Sequence, residues 1–283
     1  MKIIECPRDA MQGLHDFIPT DLKTRYINQL LKVGFDTIDF GSFVSPKAIP
    51  QLKDTAEVLA GLDLSETSSK LLAIIANIRG AQSACQFEEI TYLGYPLSLS
   101  ETFQQRNTNR SINDAFNDLT EMQELSEDYE KSLVVYLSMG FGNPYGDPYE
   151  LDYVTEFVDR LDQMEISIIS LADTIGVSNP TNISSLFESL IPKFPHIEFG
   201  AHLHTTPETT REKIEAAYTS GCRRIDGAIM GFGGCPMAKD ELVGNMATER
   251  MLDYFISINI STGLDMTQFA QSSKMALEVF SRA

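Results

Sequence analysis

Eight short runs of apolar and β-branched residues recur along this chain, each followed by a longer amphipathic segment, and that alternation constrains the fold more than any other feature. The runs are Lys2–Cys6, Thr37–Gly41, Lys70–Ala76, Glu89–Gly94, Leu133–Met139, Ser167–Ala172, Ile197–His204 and Arg224–Met230. Runs this short and this poor in charge are what strands buried on both faces look like. Helical patterns lie between them. Leu22, Tyr26, Ile27, Leu30 and Leu31 recur at helical spacing behind Thr20, which stands where an N-cap is expected, and Gly34 ends that element. Ser111 opens another helix reaching about Glu130, Glu150 to Met164 and Asn182 to Leu190 follow, and Pro207 to Thr219 is closed by Gly221.

Eight strand–helix units argue for a (β/α)8 barrel, a TIM barrel, over an open doubly wound sheet that would read similarly strand by strand. The 283 residues suit one such barrel, spanning about residues 2–257. A further helix, about 265–283, is expected to cover one end of the barrel or to contact another subunit. The formal charge of −18, from 40 acids against 22 bases, opposes nucleic acids and anionic membranes as partners but leaves room for an anionic small molecule in a local basic pocket. Four scattered cysteines without CxxC spacing argue against a zinc ribbon and fit a reducing compartment. The first strand starts almost at Met1, and no apolar run approaches the roughly 20 residues that span a bilayer, so a cytoplasmic protein is expected.

In such a barrel the chemistry sits at the carboxyl-terminal strand ends. His202-Leu203-His204 holds two of the four histidines at the end of the seventh run. Residues two apart on a strand face the same way, so both imidazoles can bind one ion. Alone, the pair also describes two surface histidines. Arg8 and Asp9 follow the first run: Asp9 offers an oxygen ligand or a proton acceptor, and Arg8 a fixed cationic fork, although an exposed ion pair would read the same. After the eighth run, Gly231-Phe232-Gly233-Gly234-Cys235-Pro236 reads as a mobile lid with Cys235 as an acid/base thiol, or else as a loop around an inert cysteine. Asn245 is by default a helix cap, yet its amide oxygen could complete a hard-metal shell with Asp9, His202 and His204. Asp39 and Asp173 stand at the ends of the second and sixth runs.

Taken in order, Pro7-Arg8-Asp9, Ser42-Phe43-Val44-Ser45-Pro46-Lys47, Asp173-Thr174-Ile175-Gly176, His202-x-His204, Gly233-Gly234-Cys235-Pro236 and Gly244-Asn245-x-Ala247-Thr248-Glu249 resemble the 3-hydroxy-3-methylglutaryl-CoA lyases, metal-dependent barrel lyases with an Arg-Asp motif after the first strand. The resemblance runs from Glu5 to about Glu249. It implies a divalent metal, Mg2+ or Mn2+, on Asp9, His202, His204 and Asn245. It implies catalytic roles for Arg8, Asp9, His202 and Cys235, and substrate contacts from Gln12, Ser42, Asp39, Asp173 and Glu249. It further implies an acyl-CoA substrate, acetyl-CoA and acetoacetate as products, a place in leucine degradation, and a homodimer. Departures touch the mouth and lid: Ala10-Met11-Gln12-Gly13 follow the Arg-Asp motif, Thr205-Thr206 follow His204, Asp39 replaces a usual glutamate, and Lys239-Asp240-Glu241-Leu242 replace a small, glycine-rich stretch. Two rivals stay open: a related carboligase condensing acetyl-CoA with a 2-keto acid, and a non-catalytic acyl-CoA-binding barrel.

Overall fold

The structure, a computed structural model, describes residues 1–233 and 244–280. Eight strands form one closed parallel sheet in sequential order: β1 (Lys2–Glu5), β2 (Thr37–Ser42), β3 (Lys70–Ile74), β4 (Ile90–Ser98), β5 (Ser132–Ser138), β6 (Ile168–Ala172), β7 (Glu198–His202) and β8 (Arg224–Gly227). Around it lie α1 (Pro7–Gln12), α2 (Thr20–Leu31), α3 (Thr55–Ala60), α4 (Ile78–Ala84), α5 (Glu101–Thr108), α6 (Ile112–Asp128), α7 (Leu151–Asp162), α8 (Pro180–Lys193), α9 (Thr210–Thr219), α10 (Thr248–Ser257) and α11 (Met266–Phe280). This is the expected (β/α)8 barrel with a C-terminal helix beyond the eighth unit. Each predicted run holds a strand, and two differences have physical causes. Strand β4 continues through Gly94 and Pro96 to Ser98, because its neighbour β5 pairs with it residue by residue as far as Ser138. Thr20 is the first residue of α2, with Pro19 before it, and its hydroxyl donates to Asp54 instead of capping the helix. Among the described residues, no helix is long and apolar enough to cross a membrane.

Alternation along the strands divides the interior in two. The larger core lies between sheet and helices, where Ile38, Leu71, Leu93, Val135, Ile169, Ala201 and Ile225 meet the helical layer. A smaller cluster of Leu72, Tyr92, Val134, Tyr136 and Ile168 comes from the opposite faces of β3, β4, β5 and β6. The amino-terminal end is closed by charge. Arg224, fully buried, lies 3.8 Å from both Asp36 and Glu198 and faces the Tyr92 ring, while Lys2 bonds Glu198 at 2.7 Å. That charged plug leaves the other end, where the loops gather, as the open face.

Helix α11 docks on α2. Phe269 meets Phe35 edge-on, Phe280 meets Tyr26 likewise, and the Gln29 amide donates to Gln268 at 2.9 Å. Truncating a buried phenylalanine forfeits about 3–5 kcal/mol. Phe269→Ala should therefore lower the unfolding free energy by about 3 kcal/mol in urea; an unmoved midpoint would mean that α11 adds nothing to the barrel.

Candidate functional site

Pro7 starts helix α1 straight after β1, and its missing N–H costs nothing at a first helical turn. The turn buries Arg8 and Asp9 side by side at the strand end, so the pair is not an exposed one. Arg8 reaches over β2: Nε lies 3.1 and 3.0 Å from the two Asp39 oxygens and Nη2 2.5 Å from Oδ2. Its Nη1 donates to Asp9 Oδ1 at 3.0 Å and to Gln12 Oε1 at 2.9 Å. Gln12 Nε2 returns to Asp9 Oδ1 at 2.6 Å, and Asn245 Nδ2 donates to Asp9 Oδ2 at 2.6 Å. Burial pushes against ionisation of Asp9, yet Arg8, His202, Asn245 and His204 together hold its carboxyl below the ordinary range. Asp39 goes the other way: burial outweighs Arg8 and raises it to about 6.

His202 ends β7 and His204 follows two residues on, their ring centroids 5.6 Å apart. Nδ1 of His202 sits 3.0 Å from Asp226 Oδ2 on β8, and the Tyr136 ring meets it edge-on. Burial alone would lower His202, but the Asp226 hydrogen bond and charge raise it. His204 is lowered to about 4, by burial first and by the charge of His202 second. One ligand atom each from Asp9, His202 and His204 lies within 4.8 Å of the others. Two imidazoles with one carboxylate make a mixed nitrogen/oxygen donor set that suits a divalent ion, and Asp226 behind His202 is the carboxylate support that ligating histidines generally carry.

The segment from Gly244 closes over this group. Thr205 N–H donates to Gly244 O, Met246 N–H to Leu203 O, and His204 bridges antiparallel to Asn245. Asn245 is thus a buried bridge residue and not a helix cap; α10 starts three residues later. It turns its nitrogen to Asp9 and to Phe232 O, with the oxygen at the other end of the same amide. Gly233, at φ +101°, lies so close that a Cβ would stand 2.5 Å from Asn245 Nδ2 and 2.9 Å from Asp9 O. A side chain at this position would strike the cluster.

The other expected residues stand apart from this group. Asp173 accepts from Ser178 N–H at 3.1 Å and from the Ser178 hydroxyl, and pairs with Lys213 at 3.1 Å. Glu249 accepts from Met230 N–H at 3.0 Å. Ser42 accepts from Val44 N–H at 3.2 Å within its own turn. Cys235 lies outside the described residues. Sequence reading missed three supports. Asp226 holds His202. Lys213, buried on α9, donates to His204 O at 2.8 Å and so ties the β6 and β7 loops together. Glu5 bonds Thr248 Oγ1 at 2.6 Å and Ile229 N at 2.8 Å, which joins β1 to the start of α10. For Asp226 and Glu5 the available signal was an acid alone inside an apolar run, since such a charge is buried only with a partner; Lys213, flanked by Arg211, Glu212 and Glu215, carried no such signal.

A closed barrel that gathers an acid, two imidazoles and a clamped guanidinium at its carboxyl-terminal mouth defines a barrel enzyme with a candidate cation centre. The sequence matches the HMGL-like family model over residues 2–276. It is 32% identical over 268 residues to the hydroxymethylglutaryl-CoA lyase YngG of Bacillus subtilis, covering 95% of this chain and 89% of that one. It is 30% identical to the 3-hydroxy-3-isohexenylglutaryl-CoA/hydroxymethylglutaryl-CoA lyase of Pseudomonas aeruginosa, covering 98% and 91%. The solved HMG-CoA lyase of Acinetobacter baumannii, in complex with coenzyme A and 3-methylmalate, superposes with a TM-score of 0.91 at 31% identity, covering 98% of this chain and 90% of that one. The chain belongs to the HMGL-like family.

Two outcomes follow from the supports. Breaking a buried ion pair from one side costs about 3–5 kcal/mol, so Lys213→Met should destabilise by about that much, and adding Asp173→Asn should restore part of it in a double-mutant cycle. Equal losses in the single and double variants would deny the pairing. Burial raises Glu5 from the ordinary 4.5 to about 8. A carboxyl held neutral in the folded chain contributes stability that is complete below about pH 4.5 and is lost as the pH rises to about 8. Glu5→Gln should flatten stability against pH across that window, and a slope identical to that of the parent protein would count against a neutral Glu5.

Proposed function

We infer that this protein is a carbon–carbon lyase that cleaves a 3-hydroxy-3-methylglutaryl-CoA-type thioester to acetyl-CoA and acetoacetate. The observation that carries the reading is the convergence of Asp9, His202 and His204 within mutual ligand distance, beside a guanidinium locked on Asp39, in a chain of this family. A divalent cation, magnesium or manganese, would be held by Asp9, His202, His204 and the amide oxygen of Asn245; when bound it lowers the pKa of a coordinated hydroxyl and orients the scissile bond.

The chain's own groups account for the proton and charge movements. Asp9 or His202 takes the proton of the tertiary hydroxyl. The bond between that carbon and the thioester's α-carbon breaks, its electron pair passes to the thioester as an enolate, and the ketone leaves. Arg8, unable to swing because Asp39, Asp9 and Gln12 hold three of its nitrogens, faces the enolate charge as a preorganised cation. Cys235 delivers a proton to the enolate carbon. Gln12 keeps Asp9 and Arg8 in register. Ser42, Asp39, Asp173 and Glu249 belong to this reading as the polar surround of the substrate: Asp39 acts through Arg8, and Asp173 through Lys213 and the β7 loop. The reading extends to one domain covering the whole chain, a homodimer and a cytoplasmic setting.

The test is acetoacetate release from 3-hydroxy-3-methylglutaryl-CoA, with and without manganese. A longer-chain 3-hydroxyglutaryl-CoA runs in parallel, as does acetyl-CoA with a 2-keto acid for the condensing direction. Cleavage that requires the metal is expected. Asp9→Asn or Arg8→Gln should lower kcat by at least about 10²-fold with the circular dichroism unchanged. Full activity in Asp9→Ala would reject the role of Asp9, and condensation without cleavage would reject the direction.

A further inference from the structure

Beneath the Asp9–His202–His204 group lies a second set of donors that the cleavage does not use. Cys6 leaves β1, Asp226 is on β8 and His202 ends β7, so three adjacent strands supply them. The register puts them on one face of neighbouring strands. Gly200 pairs with Arg224, which places His202 beside Asp226; Ile4 pairs with Asp226, and Cys6 stands two residues beyond Ile4 on the same face. One ligand atom each from Cys6, His202 and Asp226 lies within 4.8 Å of the others. Cys6 and Asp226 are buried, and Asp226 Oδ1 has no hydrogen-bond partner among the described residues. The Cys222 thiol, buried as deeply, donates to the carbonyls of Arg224 and Phe199; Cys6 is left facing the imidazole and the carboxylate.

We propose that Cys6, His202 and Asp226 form a site for a thiophilic divalent cation of the zinc type, which takes His202 away from the cleavage centre. One thiolate, one carboxylate and one neutral imidazole balance a 2+ charge and leave a fourth tetrahedral position open, which is a zinc pattern. Magnesium and manganese favour oxygen-rich shells, so donor softness sorts the two kinds of ion between the two sets. On binding, the Cys6 S–H bond breaks, a sulfur–metal bond forms and the proton passes to solvent, with no change of oxidation state. Because His202 belongs to both sets, occupation of one excludes the other. Only that inhibitory consequence rests on the lyase reading; the site itself does not.

Cadmium(II) is the probe. Added to metal-free Cys235→Ala protein, which lacks the Cys235 thiol, it should produce a thiolate-to-cadmium charge-transfer band that is absent when Cys6→Ala is added. A measurement that needs no change at Cys6 is zinc-edge X-ray absorption of zinc-loaded Cys235→Ala protein, expected to contain one sulfur neighbour at about 2.3 Å. No band, a band that persists without Cys6, or a shell of nitrogen and oxygen alone would overturn the site. In protein that retains Cys235, Cys6→Ala should weaken zinc inhibition of manganese-supported cleavage on the order of tenfold, and unchanged inhibition would overturn the shared histidine. The optical and X-ray measurements need no turnover. A chain that shows the band but cleaves no thioester would lose the lyase reading and keep this site.

Discussion

Arg8, gripped between Asp39 and Asp9, is the interaction on which the mouth of this barrel depends. Taking a guanidinium out of water is costly unless its nitrogens are matched, and removing one partner of such a pair generally costs about 3–5 kcal/mol. The match is made between a helix and a strand: α1 supplies Arg8 and Asp9, and β2 supplies Asp39. It then passes outward through the second Asp9 oxygen to Asn245, and from Asn245 to the β7 loop through the bridge with His204. Four chain segments far apart in sequence are thereby held in one geometry. The same grip keeps Arg8 from searching other rotamers, which is the condition for a cation to act at no reorganisation cost.

The two ends of the barrel use charge for different purposes. At the amino-terminal end Arg224, Asp36, Glu198 and Lys2 neutralise one another and the Tyr92 ring covers the guanidinium, so this end closes and bears on stability. At the carboxyl-terminal end the groups are gathered without full neutralisation. Burial lifts Asp39 to about 6 and lowers His204 to about 4, while Asp9 stays below the ordinary range. Environments that push neighbouring groups apart in this way are the usual mark of a working site. The −18 formal charge of the chain counts buried acids as well as exposed ones and does not describe this mouth, where Arg8 is paired with Asp39 and Asp9.

Particular residues mark how far the sequence reaches. Period-two spacing puts His202 and His204 on one face, and the position of Arg8-Asp9 after an apolar run puts them at a strand end, and both are so placed in the fold. Asn245 offered two meanings, cap or site residue, and local spacing could not choose between them; the antiparallel bridge to His204 excludes the cap. The fourth apolar run ends at Gly94, and glycine and Pro96 ordinarily weaken a strand, but pairing with β5 carries β4 on to Ser98. Asp226 and Glu5 stood out only as lone acids in apolar runs and Lys213 not at all, because the partner of each lies on another element.

What the chain determined by itself is everything that depends on local periodicity. It set eight buried runs with helices between them, the strand ends at which polar groups emerge, and the kinds of donor available there. What only the tertiary structure decided is which donor meets which. Closing the sheet pairs β1 with β8 across more than two hundred residues of chain, and the register of that pairing brings Cys6, Asp226 and His202 onto one face while α1 leans over β2. Register and closure follow from the packing of the whole barrel, since no short stretch of sequence contains both sides of such a contact.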